Sequence, residues 1–345
     1  MNTTAIGSIL LAWLWVLLLL RPQPGSGQLL DAACGIRAAS IASKVIRGNI
    51  AGLTSSPWMV FLHSTDDRFV CGGTLITNRL VLTAAHCFLP NTQLVARLGE
   101  YQRSQDDKCH NTAAGPYCTI REEHYIDAGF RHRLYDKATQ SNDIAILRMI
   151  TPVVYKDNIR PICIVLNPSW RTFIDNLTTL VATGWGRTHN ETDSDHLMTL
   201  NIARQDPEIC TEYIRSRPLA SNQFCAGNMN SNMCNGDSGG PLGAMVRIGN
   251  QMRFVQIGIA SYTNRQCAYA SVFTDVLSHA DWILKVVRKY GDGQPMPQQA
   301  RSDNYLWMRQ PQGRVQAQTR RPLVEGNNQR FSQSFNYFTT WPVIW

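Results

Sequence analysis

At Gly236-Asp237-Ser238-Gly239-Gly240-Pro241 a serine is set among glycines, with a carboxylate directly before it. A serine hydroxyl is a weak nucleophile that needs an adjacent base and donors aimed at the developing oxyanion. The flanking glycines let the chain turn tightly enough for the amides of Gly236 and Ser238 to face one point. By itself the stretch is also an ordinary glycine-rich turn, so its meaning depends on what the rest of the chain supplies.

Upstream, Thr83-Ala84-Ala85-His86-Cys87 places a histidine among small residues, beside a cysteine able to clamp it. A lone histidine there is equally a core residue. Ser141-Asn142-Asp143-Ile144-Ala145-Ile146-Leu147 sets an acid at the edge of an apolar run, where a buried carboxylate requires a partner. Alone it would serve as a cap or turn residue. Together the three follow the chain order His, Asp, Ser of one known form of the catalytic triad. On these motifs the sequence from Val45 to about Tyr290 resembles the trypsin/chymotrypsin-type serine proteases.

The resemblance implies an all-β chymotrypsin fold: two six-stranded antiparallel β-barrels with the triad between them, then a C-terminal helix. The residues themselves point the same way. Short β-type runs beginning at Pro57, Leu80, Leu180 and Phe254 are separated by Gly, Asn and Pro. The segment Asp281–Tyr290 has helical periodicity, with Trp282, Val286 and Ile283 on one face. Lys285, Arg288 and Lys289 stand toward its C-terminal end, where positive charge is favourable.

By the same resemblance Ser238 is the nucleophile and His86 the general base and later acid. Asp143 orients His86, and the amides of Gly236 and Ser238 form the oxyanion hole. Ser261 lines the cleft and supports the aspartate, while Gly184-Trp185-Gly186 belongs to the scaffold. Val45-Ile46-Arg47-Gly48 matches the new N-terminus released by cleavage after Lys44, whose ammonium pairs with the buried Asp237. Cleavage after Arg47 is the alternative; it leaves a glycine terminus out of register. The implied disulfides are Cys71–Cys87, Cys210–Cys225 and Cys234–Cys267, with Cys34–Cys163 holding the pro-segment and Cys109–Cys118 closing an extra loop. That extra bridge resembles one in arthropod clip-type proteases, although the pro-segment carries no clip module.

The resemblance places the substrate pocket at Asn232, Met233, Ser261, Thr263 and Ser271. Trypsin-like cleavage after Lys or Arg requires an aspartate where Asn232 stands, and an amide carries no charge to neutralise a cation. Thr263 and Ser271 occupy positions that are often glycine and should narrow the pocket. The expectation is a protease that does not favour basic P1 residues and does not activate itself at Lys44. Some relatives bind calcium in the loop near Glu100; here the Cys109–Cys118 insertion replaces much of that loop. No metal or other cofactor is expected, with calcium at that loop left as the alternative.

The bulk composition agrees with an extracellular protein. Ten cysteines in 345 residues, with no zinc-type spacing, favour disulfides and an oxidising compartment. The stretch Ile9–Leu20 is apolar but short for a membrane span and is followed by Pro24-Gly25-Ser26-Gly27, so residues 1–27 read as a signal peptide and 28–44 as an activation pro-segment. The n-region lacks Lys and Arg, which leaves an uncleaved anchor as the alternative. Sequons at Asn176 and Asn190 fit secretion. A formal charge of +8 without a basic run argues against nucleic acid. After the domain at 45–290, residues 291–345 are rich in Gln, Asn, Arg and Pro and read as a disordered tail with an aromatic end, which could dock on the domain or on a partner. Expected partners are protein substrates, an upstream trypsin-like activating protease and a serpin-type inhibitor. The rival class is a non-catalytic homologue acting as a binding or cofactor protein.

Overall fold

The computed structural model describes residues 29–38, 49–89, 92–104, 108–112, 115–187, 192–214, 218–228 and 232–291. The expected signal peptide, Lys44, Val45, Arg47, Asn190 and the C-terminal tail lie outside them. In chain order the strands are β1 (Asn49–Ile50), β2 (Met59–Ser64), β3 (Phe69–Leu75), β4 (Leu80–Thr83), β5 (Leu94–Leu98), β6 (Lys108–Thr112), β7 (Gly115–Thr119), β8 (Glu122–Arg131), β9 (Ala145–Met149), β10 (Thr179–Gly184), β11 (Met198–Arg204), β12 (Gln223–Gly227), β13 (Pro241–Ile248), β14 (Gln251–Thr263) and β15 (Ser271–Asp275). Three helices join them: α1 (Arg171–Asp175), α2 (Pro207–Tyr213) and α3 (Ala280–Tyr290).

The antiparallel strands close two barrels. The first has the order β2-β3-β4-β9-β8-β5. The second has the order β11-β10-β13-β14-β15-β12, and the pairing of β12 with β11 shuts it. Strand β1 adds to the outside of β11, and β6 with β7 forms a separate hairpin closed by Cys109–Cys118. Strand β8 alternates between buried and more exposed positions over most of its length, as a strand with one face inward must. All six residues of β2 are buried instead, because its outer face is covered by the rest of the molecule.

Buried side chains from both barrels meet in the middle. The Trp58 ring stacks on Phe254 of β14 at 4.7 Å between centroids, and neither residue is exposed. Beside them Thr74 Oγ1 of β3 donates to Gln256 Oε1 of β14 at 2.8 Å. The segment before β1 reinforces this joint. Cys34–Cys163 ties it covalently, and Arg253 donates to the carbonyls of Ala32 and Cys34 at 2.8 and 2.7 Å. The Arg37 guanidinium lies 4.6 Å from the Phe254 ring and 5.4 Å from that of Trp58, and burial draws its pKa down to about 10.

Helix α3 follows the second barrel but packs on the first. It begins one residue earlier than the periodicity suggests, and its buried residues are Ala280, Ile283, Val286 and Tyr290. Tyr290 stacks on Phe130 of β8 at 4.2 Å. Trp282 is only half-buried, edge-on to His132 at 5.3 Å, so Ile283 rather than Trp282 is the inward residue. Among the described residues no helix is long and apolar enough to cross a membrane.

The central stack gives a test of how the barrels are joined. Replacing Phe254 with Ala removes the partner of Trp58 and the seat of Arg37, and should cost about 3–5 kcal/mol in denaturant unfolding. A loss below about 1 kcal/mol would show that the joint lies elsewhere.

Candidate active site

Asp143 is fully buried just before β9, and its three oxygens all have partners. Its Oδ2 lies 2.7 Å from His86 Nδ1 and accepts from Ser261 Oγ at 2.5 Å, while Oδ1 accepts from the His86 amide at 2.9 Å. The Asp143 carbonyl accepts from Thr274 Oγ1 of β15 at 2.9 Å. His86 and Asp143 come from the first barrel, Ser261 and Thr274 from the second. With Nδ1–H directed at the carboxylate, Nε2 is the nitrogen left to take a proton. The histidine side chain keeps 23% exposure, so it faces the cleft.

The backbone before Asp143 is held from a distance. Asn142 has φ +52°, a left-handed conformation that Asn tolerates better than most residues. Its amide donates to Asn222 Oδ1 at 3.3 Å, and Asn222 Nδ2 returns a bond to Asn142 Oδ1 at 2.9 Å. His279 Nε2 lies 3.2 Å from the same oxygen and its Nδ1 lies 2.7 Å from the Asp275 carbonyl. Sequence reasoning missed Asn222, Thr274 and His279. Only the left-handed tolerance of Asn142 was legible; its partners are far away in the chain.

The loop that carries Ser238 lies against the residues that lead into His86. The Gly72 amide donates to the Ser238 carbonyl at 2.8 Å, and Cys71–Cys87 links the residue before Gly72 to the residue after His86. Gly239 has φ +77°, and a Cβ there would fall 2.2 Å from Thr83 Oγ1 and 2.4 Å from the Gly72 carbonyl oxygen. Only glycine lets the Ser238 loop rest on the residues that lead into His86. The amides of Gly236 and Ser238 have no acceptor among the described residues, and Gly236 has φ +94°.

The family model for trypsin matches residues 45–283. This chain belongs to the trypsin family. Serine protease 7 of Drosophila melanogaster is 34% identical over 285 residues, covering 77% of this chain and 71% of that relative. Phenoloxidase-activating factor 3 of Holotrichia diomphalia is 34% identical over 260 residues, 71% of this chain and 73% of the relative. Among solved structures, the Drosophila Grass clip serine protease of the Toll pathway aligns with a TM-score of 0.66 at 29% identity, covering 79% of this chain and 77% of that one. The protein is therefore a serine-type endopeptidase with the chymotrypsin-like double barrel.

In the protease, Gly184-Trp185-Gly186 does more than fill the scaffold. Asp237 Oδ1 accepts from the Gly186 amide at 2.8 Å and Oδ2 from the Cys234 amide at 2.9 Å. A Cβ at Gly184 or Gly186 would fall 2.1 or 2.3 Å from this carboxylate, so both glycines make its cradle. The residue as a whole is partly exposed, yet protein atoms enclose its carboxylate densely. That desolvation, with a smaller contribution from Asp193, raises its pKa to about 6. Among the described residues no cation offsets it.

The five disulfides join Cys34 to Cys163, Cys71 to Cys87, Cys109 to Cys118, Cys210 to Cys225 and Cys234 to Cys267. At the positions expected to line the pocket, Asn232 is half-buried and Met233 buried, and Thr263 pairs with Ser271 across β14 and β15. Glu100 is buried, and its Oε2 accepts from Arg121 at 2.9 Å and Arg97 at 3.4 Å. Two guanidiniums thus hold the carboxylate that a calcium ion would need. Exposed Asn176 ends α1, with Nδ2 donating to the Thr172 carbonyl at 2.8 Å.

Asp237 makes stability depend on pH in the uncleaved chain. An acid whose folded pKa is raised stabilises the fold fully below its unfolded pKa near 3.8, and that contribution is lost as pH rises through about 6. The uncleaved protein should therefore lose stability across that window in thermal or denaturant titrations. Asp237→Asn should flatten this part of the profile; an unchanged slope would place its cause elsewhere.

Proposed function

We propose that this chain is the zymogen of a secreted serine endopeptidase in which His86, Asp143 and Ser238 act as the catalytic triad. The observation that carries the reading is the His86–Asp143 contact at 2.7 Å, with the Ser238 loop packed against the residues leading into His86. Ser238 Oγ attacks the scissile carbonyl while His86 Nε2 takes its proton. The oxyanion forms beneath the amides of Gly236 and Ser238. His86 then gives the proton to the leaving amine, and an acyl-enzyme remains on Ser238. Water deprotonated by the same nitrogen releases the acid product. Asp143, held by Ser261, keeps His86 in the required tautomer and stabilises the imidazolium.

The domain plan follows from the same reading: signal peptide 1–27, pro-segment 28–44, protease domain 45–290 and tail 291–345. Cleavage after Lys44 frees the Val45 ammonium to neutralise Asp237 and complete the oxyanion loop. The raised pKa of Asp237 supports this, because an enclosed carboxylate bonded only to amides favours an incoming cation. Relatives named phenoloxidase-activating factor 3 and proclotting enzyme support a place in an extracellular proteolytic cascade, with protein substrates, a trypsin-like activator and a serpin-type inhibitor as partners. Asn176 and Asn190 are its glycosylation sites; a glycosylated Asn176 retains the one N–H that its bond to Thr172 needs. Its P1 preference is not Lys or Arg, because Asn232 brings no charge to the pocket.

Ser238→Ala in the activated enzyme should lower kcat/KM on peptide substrates by about 10⁵-fold or more, and His86→Ala by a similar factor, since the triad acts as a unit. Turnover by Ser238→Ala equal to that of the unaltered enzyme would end the proposal.

A further inference from the structure

We infer, on the triad reading above, that His279 is a positioning residue whose protonation supplies the bond that fixes Asn142 and, through it, the neighbouring Asp143. Asn142 Nδ2 donates to the Leu134 carbonyl at 3.0 Å, its Oδ1 accepts from Asn222 Nδ2 at 2.9 Å, and its backbone amide donates to Asn222 Oδ1 at 3.3 Å. The two ends of this chain of bonds are main-chain groups of fixed polarity, the Leu134 carbonyl and the Asn142 N–H. Reversing either side-chain amide, or both, would set like against like at one of those ends. The atom that Asn142 turns to His279 Nε2, 3.2 Å away, is therefore an oxygen. His279 Nδ1 meets a second oxygen, the Asp275 carbonyl, at 2.7 Å.

Two acceptors thus face a ring that carries one N–H in its neutral form. Either tautomer sets a nitrogen lone pair against an oxygen; only the imidazolium donates to both. The residue is 3% exposed, so solvent does not relieve the mismatch. With the shorter contact kept at Asp275, the unmatched one in the neutral state falls on Asn142, whose backbone is left-handed at φ +52°. Protonation turns that contact into a charge-assisted hydrogen bond, roughly twice as strong as a neutral one. Asp143 follows Asn142 directly, so the grip on one is passed to the other.

The charged groups around the ring set when the proton arrives. Asp275, on the same segment, has its carboxylate paired with Arg171 at 2.6 and 3.1 Å and favours the imidazolium. His132, at the end of β8, stands at right angles to His279 with 5.2 Å between ring centroids. Its Nδ1 accepts from the Leu134 amide at 3.3 Å, a bond that only the neutral ring makes. Burial, with a smaller contribution from His279, draws the His132 pKa to about 4, so it places no competing charge there. Beyond Asn142 the Asp143 carboxylate is already engaged by His86 and Ser261. Burial lowers the His279 pKa against the opposing pull of Asp275, so the added bond forms as pH falls below 6.5 and is lost above it.

The test uses the full chain cleaved after Lys44, with kcat and KM on a peptide substrate measured across about pH 5 to 8. Compared with the unaltered enzyme are His279→Gln, whose amide donates to Asn142 at every pH, and His279→Leu, which donates at none. Dividing the unaltered enzyme's kcat by that of His279→Gln cancels the protonation of His86 common to both. This ratio should rise by about threefold or more as pH falls through the His279 midpoint, with KM unmoved. The ratio of His279→Leu to His279→Gln should stay flat. NMR of the unaltered chain with ¹⁵N-labelled histidine locates the midpoint, and the His86 Nδ1–H resonance should shift at the same pH. A flat or falling kcat ratio overturns the inference and leaves the triad reading intact. So does a His279 that stays neutral down to about pH 5, or a His86 resonance unmoved at the His279 midpoint, a reading that needs no variant to fold. A cleaved enzyme whose turnover is no greater than that of Ser238→Ala refutes the triad reading and the inference with it.

Discussion

Everything in the cleft depends on one buried carboxylate and the donors it demands. An unpaired charge at the position of Asp143 would unfold the region, so the chain must deliver hydrogen bonds to it from several places. It does so from both barrels: His86 from one, Ser261 and Thr274 from the other. The barrels are thereby held in one relative placement by the same bonds that hold the histidine. The geometry of His86 and the packing of the barrels are two consequences of a single electrostatic requirement.

Asp237 shows the opposite solution to the same problem. It too is enclosed, but among the described residues its carboxylate accepts from two backbone amides and meets no cation, and burial raises its pKa. Asp143 is satisfied by its fold; Asp237 is left without a counter-charge among the described residues. That difference separates a residue that supports structure at all times from one suited to a switch. Glu100 is a third case, where two guanidiniums take a role that a metal ion could have had.

Around these charges the apolar contacts act as a frame. The Trp58–Phe254 stack joins the barrels, and Arg37 lies over it, so the segment before the expected cleavage site is anchored by more than the Cys34–Cys163 bond. Helix α3 crosses from the end of the second barrel to pack Tyr290 on Phe130 of the first. The order in space is set by packing and does not follow the order in sequence.

The sequence alone determined the chemistry: a serine between glycines, a histidine beside a cysteine and an acid before an apolar run are local patterns. It also determined the strands, because period and turn residues are local, although it set Trp282 on the inward face with Ile283 and Val286, where only the latter two are buried. Only the tertiary structure decided who answers each charge. Asn222 lies 80 residues from Asn142, and Thr274 lies 131 from Asp143, so no spacing in the chain could pair them. The same holds for Asn232: its lack of charge was readable, but not that Asn228 engages both ends of its amide. Local propensity speaks of neighbours in the chain, whereas burial and hydrogen bonding are settled between neighbours in space.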